Sequence, residues 1–410
     1  MHYLKPFLFL FIFLSFSFTS NAQESLLAPT PPMGFMTWNY FGDDINEQDI
    51  KSMADAMVEE GLVELGYDYI FIDDGWQGGR DNRNNIIPDP EKFPSGIKDL
   101  ADYLHSKGMK LGIYSDAAQL TCAGYTASLG FEEQDAKTFA SWDVDYLKYD
   151  YCGAPIDRET AEKRYSKMAD ALQDSGREIV FSVCEWGQRE PWLWAKEAGG
   201  QLWRTTYDIR DKWSANAPKG TNLHEESIGY GILDILEINA ELDEYAGPGG
   251  WNDPDMLVVG LRGKSGPSGD QGGHGATNTE YQSQMSLWCL MAAPLMISND
   301  VSNMDEETLR ILANKDIIAI DQDPLGKQGK RVINKDDWQV FVKPLTDGNY
   351  AVGILNTSEK KRRFKENLDS LGLNGKYKLL DVWSKKGYGK TDKLNFQVQS
   401  HETLVFKLSQ

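Results

Sequence analysis

The chain has 410 residues, a net charge of −20, five His and four Cys. That charge argues against a nucleic-acid binder, whose phosphate contacts need Lys and Arg. The few His show neither HExxH nor HxH spacing, which argues against a metal-dependent hydrolase, and no cofactor motif stands out. The length suits one large domain followed by a smaller one.

In chain order, residues 1–22 read as a signal peptide: a short basic start, an apolar run over 6–18, then small residues up to Ala22. The run is shorter than the roughly 20 residues of a spanning helix. The expectation is therefore an exported protein, periplasmic or secreted, with no membrane span.

From residue 33, short apolar segments alternate with amphipathic ones. The candidate strands are MGFMTWN, YDYIFIDD, KLGIYSD, VDYLKYD, EIVFSVCE, QLWRTTYD, the GGWNDPDML region and APLMISND. The first helix, EQDIKSMADAMVEEGLVELG, spaces Ile50, Met53, Ala54, Met57 and Val58 along one face. SGIKDLADYLHSKG and EEQDAKTFASW repeat the pattern, and Gly66, Gly108 and Gly176 stand where C-caps belong. Eight strand–helix units predict an α/β fold, a (β/α)8 TIM barrel over 23–320. The alternative is an open doubly wound sheet, weakened by the lack of GxGxxG after the first strand. Past "DQDP" the pattern changes to alternating runs: WQVFVKPL, NYAVGILN, KYKLLDVW, KLNFQVQ and ETLVFKL. These predict a small antiparallel β domain over 321–410, packed on the barrel.

In such a barrel the chemistry sits at the C-terminal strand ends. Those ends carry Trp38, Asp73 and Asp74, Tyr114 and Asp116, Lys148 and Asp150, Glu185 and Trp186, Arg204 and Asp208, then Asp253 and Asp255. One acidic strand end is common, but six, with aromatics between them, suggest a pocket that accepts sugar hydroxyls and stacks on a sugar ring. A carboxylate pair is what glycoside hydrolysis needs: one attacks or activates water, the other protonates the leaving oxygen. Lys148 lies two residues from Asp150 and shares its strand face, where its charge would favour an ionised nucleophile. For Asp253 and Asp255 the Asp-Pro turn favours a structural role.

The motifs "GYDYIFIDDGW", "GIYSDAAQLTCAG", "DYLKYDYC", "CEWGQREPWLW", "LWRTTYDI" and "GGWNDPDML" together resemble glycoside hydrolase family 27, the α-galactosidase (melibiase) family. The resemblance implies a TIM barrel with a C-terminal β domain and a retaining exo-enzyme that releases terminal α-D-galactose. It implies Asp150 as nucleophile and Asp208 as acid/base. By the same likeness Asp73 and Asp74 grip the 4- and 6-hydroxyls, Lys148 contacts a ring hydroxyl, and Arg204, Glu185 and Trp186 surround the 2-position. Trp38 and Met256 would be apolar walls, with Tyr114 lining the pocket. Glu185 and Gln188 are not small, which favours galactose over a 2-acetamido sugar. The alternatives are a β-L-arabinopyranosidase, an α-N-acetylgalactosaminidase and an inactive sugar-binding barrel.

The resemblance further implies a Cys122–Cys152 disulfide, with Cys184 and Cys289 free. The chain departs from the family pattern in three places: Gly75 where many members have Cys, Tyr207 where a small residue is commoner, and a longer Gly-rich segment, 261–278, read as a mobile rim loop. The expected partner is a galactose-containing carbohydrate.

Overall fold

The computed structural model describes residues 1, 26–215, 229–264 and 274–410. The expected signal peptide, 1–22, lies almost wholly outside the described residues. So does the middle of the 261–278 segment.

Eight parallel strands form the first sheet: β1 (Met33–Met36), β2 (Tyr69–Ile72), β3 (Lys110–Asp116), β4 (Tyr146–Asp150), β5 (Val180–Val183), β6 (Leu202–Arg204), β7 (Trp251–Asp253) and β8 (Leu295–Ile297). The hydrogen-bonded order is β8-β1-β2-β3-β4-β5-β6-β7. A parallel bridge between Leu257 and Ile297 closes the ring just beyond β7, giving the TIM barrel. The strands are buried on both faces, as parallel strands under crossover helices must be.

Side-chain parity positions the site. Tyr146 of β4 meets Tyr69 and Phe71 of β2 at ring distances of 5.7 and 5.3 Å. These strands are not neighbours, since β3 lies between them, so the rings meet inside the barrel. Leu147 and Tyr149 instead pack in the outer core, under the helices. Because strand side chains alternate, Lys148 and Asp150 follow Tyr146 inward, and Asp73 follows Phe71.

The crossover helices form where expected: α1 (Glu47–Glu59), α2 (Gly96–Ser106), α3 (Glu132–Ser141) and α4 (Arg158–Asp174). Asn46 and Asp49 close a capping box at the start of α1. Ile50, Met53, Ala54 and Met57 are buried, but Val58, expected on the same face, is 37% exposed. It falls at the edge of the stripe, because 3.6 residues per turn rotate it about a quarter turn from the centre set by Ile50, Met53, Ala54 and Met57. Gly66, Gly108 and Gly176 all take positive φ, as C-cap glycines do. Later helices are α5 (Ile232–Asn239), α6 (Asn278–Leu290), α7 (Glu306–Leu312) and α8 (Lys315–Asp321).

The C-terminal strands are β9 (Lys330–Lys335), β10 (Trp338–Pro344), β11 (Tyr350–Asn356), β12 (Arg362–Asn367), β13 (Tyr377–Asp381), β14 (Gly387–Thr391), β15 (Lys393–Val398) and β16 (Thr403–Ser409). Six make an antiparallel sheet, β9-β10-β11-β16-β13-β14, and β12 pairs with β15. Val352, Phe364, Leu394 and Phe406 share the core between the two sheets. The other face of the large sheet joins the barrel core through Phe341, Ala351 and Val405. Helix α6 supplies part of the contact, with Trp383 Nε1 donating to Ser286 Oγ and Lys343 Nζ to the Cys289 carbonyl, and Arg331 adds ion pairs to Glu237 and Glu241.

Candidate active site

A cavity of about 300 Å³ opens at the C-terminal strand ends. Trp38, Asp73, Asp74, Tyr114, Lys148, Asp150, Trp186, Asp208 and Met256 all line it. Nine of the eleven catalytic and binding residues expected from the sequence thus converge on one cavity. Asp150 is 5% exposed at its base, whereas the Asp208 side chain is 46% exposed.

The remaining two, Glu185 and Arg204, are not lining residues. On β5 the inward phase runs Val180, Ser182, Cys184. Glu185 falls out of phase and turns into the protein, with 0% exposure. There its Oε2 accepts from the Arg189 backbone N–H and from Nη1, both at 2.9 Å. Trp186 regains the cavity in a left-handed turn, φ +58°, followed by Gly187 at +73°. A Cβ on Gly187 would lie 2.1 Å from the Thr205 carbonyl oxygen, so only glycine lets this turn press against the β6 segment. Of the two bulky positions expected at the sugar's 2-position, only Gln188 lines the cavity.

Arg204 lies beneath the cavity. Its Nη2 reaches Asp208 Oδ1 and Asp255 Oδ2, each at 3.1 Å. Asp255 Oδ2 also accepts the Ile209 backbone N–H at 2.8 Å, and Asp253 Oδ1 accepts that of Asp255. Asp253 and Asp255 therefore brace the segment that carries Asp208, the structural role expected of them. Asp255 holds φ +77°, a strained setting for a non-glycine residue.

Lys148 does not pair with Asp150. Its Nζ donates to Asp73 Oδ2 at 2.8 Å and lies over the Tyr114 ring, 5.4 Å from its centroid. Burial alone would lower the Lys148 pKa, and Asp73 overcomes that, holding it well up. The Tyr114 hydroxyl donates to Asp150 Oδ2 at 3.0 Å. Burial raises the Asp150 pKa to about 7, with Lys148 pulling it down and Asp208 pushing it up. Lys148 thus favours an ionised Asp150, as the sequence argument expected, but burial opposes it and is the larger effect. Burial also pushes Asp208 up, but Arg204 and Lys148 outweigh it and hold its carboxyl below the usual value.

Cys122 and Cys152 are joined in a disulfide, and Cys184 and Cys289 are free and buried. The bridge links the loops after β3 and β4. Next to it the Ala123 N–H donates to Asp74 Oδ2 and the Cys152 N–H to Asp116 Oδ2. Burial raises Asp74 to about 6. Gly75 has φ +105°, and a Cβ there would sit 2.7 Å from Asp43 Cβ and 2.9 Å from its Cα. A cysteine would not fit without displacing Asp43.

Sequence reasoning missed Gly153, Arg210 and Gly229, all lining the cavity. Arg210 was legible: it follows Asp208 by two residues on extended backbone that bridges to Tyr230, so the two share a side. The rim segment 261–278 is tied at both ends to buried Asp211, which accepts the Gly263 N–H at 2.6 Å and the Ala276 N–H at 3.0 Å. Among the described residues, no helix is long and apolar enough to cross a membrane.

Residues 30–323 match the family model described as Alpha galactosidase A, and 335–408 match the Alpha galactosidase C-terminal beta sandwich domain. The chain is 41% identical over 400 residues to Alpha-galactosidase A of Cellvibrio japonicus, covering 93% of each chain. It is similar to the crystal structure of α-galactosidase I from Mortierella vinacea, with a TM-score of 0.85 and 34% identity over 93% of this chain and 97% of that one. It is also similar to the α-galactosidase from Saccharomyces cerevisiae solved with raffinose, with a TM-score of 0.84 and 30% identity over 93% and 98%.

Proposed function

We propose, from the premise that this chain belongs to the α-galactosidase (melibiase) family, that Asp150 and Asp208 divide a two-step displacement between them. The protein is a glycoside hydrolase that cleaves α-galactosides. The observation that carries the division of roles is the contrast in exposure between the two carboxyls, 5% for Asp150 as a residue and 46% for the Asp208 side chain. In a pocket that takes a terminal sugar, the leaving group must point toward solvent. The carboxyl nearer solvent is the one placed to protonate it, and the deep one faces the anomeric carbon.

In the first step Asp150 attacks that carbon while the C–O bond to the leaving group breaks and Asp208 gives its proton to the departing oxygen. In the second, Asp208 takes a proton from water, the water oxygen attacks the same carbon, and the bond to Asp150 breaks. Two inversions retain the α-configuration. Tyr114, donating to Asp150 Oδ2, fixes the orientation of the attacking carboxylate. Asp73, Asp74 and Lys148 offer acceptors and a cation to the sugar hydroxyls, and an intact Asp73–Asp74 pair suits galactose rather than an arabinopyranoside. Trp38 and Met256 form apolar walls. Gln188 occupies the space where a 2-acetamido group would sit, and Arg204 acts through Asp208 as a positioning residue.

The same reading makes 1–22 an export signal removed from the mature protein, 23–320 the catalytic barrel and 321–410 a packed β domain. The protein then acts on galactose-bearing oligo- or polysaccharides in the periplasm or outside the cell.

Azide rescue tests the roles. Asp150→Ala should lose nearly all activity and regain turnover with azide, giving the β-galactosyl azide. Asp208→Ala should give the α-galactosyl azide. The opposite stereochemistry would mean that the roles are exchanged.

A further inference from the structure

Tyr207, immediately before Asp208, lines the cavity, and so does Trp186. Their rings are nearly parallel, 13° apart, with centroids separated by 6.1 Å. On Tyr207 the series continues to Tyr230, at 5.8 Å and 27°. Tyr230 is fully buried, whereas Trp186 and Tyr207 are partly exposed. Contacting aromatic faces lie about 3.5–4 Å apart. Centroids near 6 Å at such low angles describe an offset stack, and of the three rings Trp186 and Tyr207 keep partial exposure and line the cavity.

The wall is held rigidly. Tyr230 is fixed by the parallel bridge to Ile209 and by the Arg210 N–H, which donates to its carbonyl at 2.7 Å. Trp186 is held by its left-handed turn, which Gly187 presses against Thr205. A strained, well-braced backbone that presents two aromatic faces beside a solvent-facing carboxyl has the form of a binding surface, because core packing alone would not leave those faces in a cavity.

We infer that Trp186 and Tyr207 form the leaving-group subsite, a platform that stacks on a ring-shaped aglycone such as a hexopyranose. This rests on the reading of Asp208 as acid/base, since that role places the leaving group beside Tyr207. The pyranose C–H face packs on these rings while Asp208 protonates the oxygen between the two sugars. The site is thereby selective for galactose linked to another ring sugar over galactose linked to a small or open-chain alcohol.

The test compares α-galactosyl-(1→6)-glucose with methyl α-galactoside, whose leaving groups are both primary or simple alcohols. The readout is the ratio of their kcat/KM values. Tyr207→Ala should lower that ratio about tenfold, the contribution of one ring stacked on an aromatic face. Tyr207→Phe, which keeps the ring, should restore the ratio, and the Ki for free galactose should not change in either variant. An unchanged ratio in an active Tyr207→Ala enzyme, or an equal loss on both substrates, overturns the inference. The unmodified enzyme supplies a second measurement that does not depend on the variant folding. Cyclohexylmethyl α-galactoside, a ring without hydroxyls, should exceed methyl α-galactoside about tenfold in kcat/KM, and equal values overturn the platform. If the unmodified enzyme cleaves none of these galactosides, the proposed function fails instead.

Discussion

Replacing Arg204 by Met removes a buried cation while keeping an unbranched apolar side chain. Arg204 and Asp255 have side-chain exposures of 3% each and lie 3.1 Å apart. Removing one partner of such a pair strands the other charge, at a cost of about 3–5 kcal/mol. The second contact, to the 46% exposed Asp208, adds at most about 1 kcal/mol because water screens it. With a urea dependence of about 3 kcal/mol/M, the unfolding midpoint should fall by about 1–2 M. The deficit should depend on pH. Burial already raises the Asp255 pKa, with Arg204 opposing it, so without Arg204 the folded-state pKa rises further above the unfolded one. A group raised in this way favours folding while protonated and loses that benefit as pH rises through its folded pKa. The gap between variant and parent should therefore widen from about pH 4 to neutrality, spanning the range between an unfolded aspartate and a buried one. Asp255→Asn added to Arg204→Met should recover much of the loss, since Asn tolerates φ +77° and can still accept the Ile209 N–H. A deficit under about 1 kcal/mol, one that does not change with pH, or a double variant worse than the single would refute this account.

Three further outcomes follow from the same geometry. For kcat/KM, the proposed catalytic pair must hold one proton, so activity should fall on the alkaline side as that proton is lost near the Asp150 value of about 7, and on the acid side as a second proton binds; a profile flat through 7 would contradict the coupling. Gly75→Ala puts an L side chain at φ +105° and a Cβ against Asp43, costing about 2–5 kcal/mol; calorimetry should show Tm lowered on the order of 10 °C, with KM raised through the neighbouring Asp74. Cys122→Ser opens a bridge spanning 30 residues, worth about 3–4 kcal/mol of chain entropy; unfolding should show that loss, and KM should rise more than kcat falls, because Ala123 then holds Asp74 less firmly.

Most of the barrel was legible because each strand joins an apolar run to a polar end, and the two-residue period says which of those end residues look inward. Tyr146, Lys148 and Asp150 obey it in full. Glu185 was misplaced because the phase of β5 was not followed: counting from Val180 reaches Cys184 and then Trp186, and puts Glu185 outside. The strands missed in the β domain have little alternation to read. In RRFKEN only Phe364 is buried, and all of GYGKT is at least partly exposed. The hairpin of Gln77–Arg80 and Ile86–Pro88 carries two glycines and a proline in seven strand positions, so propensity argued against it. Contacts distant in sequence were beyond reach altogether. Nothing local says that Lys148 crosses to Asp73 or that Asp211 ties both ends of the rim segment.

On the proposed roles of Asp150 and Asp208, the carboxylates around them have an electrostatic reason. Lys148 and Arg204 are buried cations, and each is matched by an aspartate outside the catalytic pair, Lys148 by Asp73 and Arg204 by Asp255. If either cation stood unmatched beside the pair, its field would strip the shared proton and leave no acid for the first step. If both were absent, burial would keep Asp150 protonated and leave no nucleophile. Matching each cation leaves the pair a partial field, enough to keep one carboxyl ionised and not both. Burial raises Asp150, whereas Arg204 and Lys148 lower Asp208, so the two carboxyls are held in unlike environments.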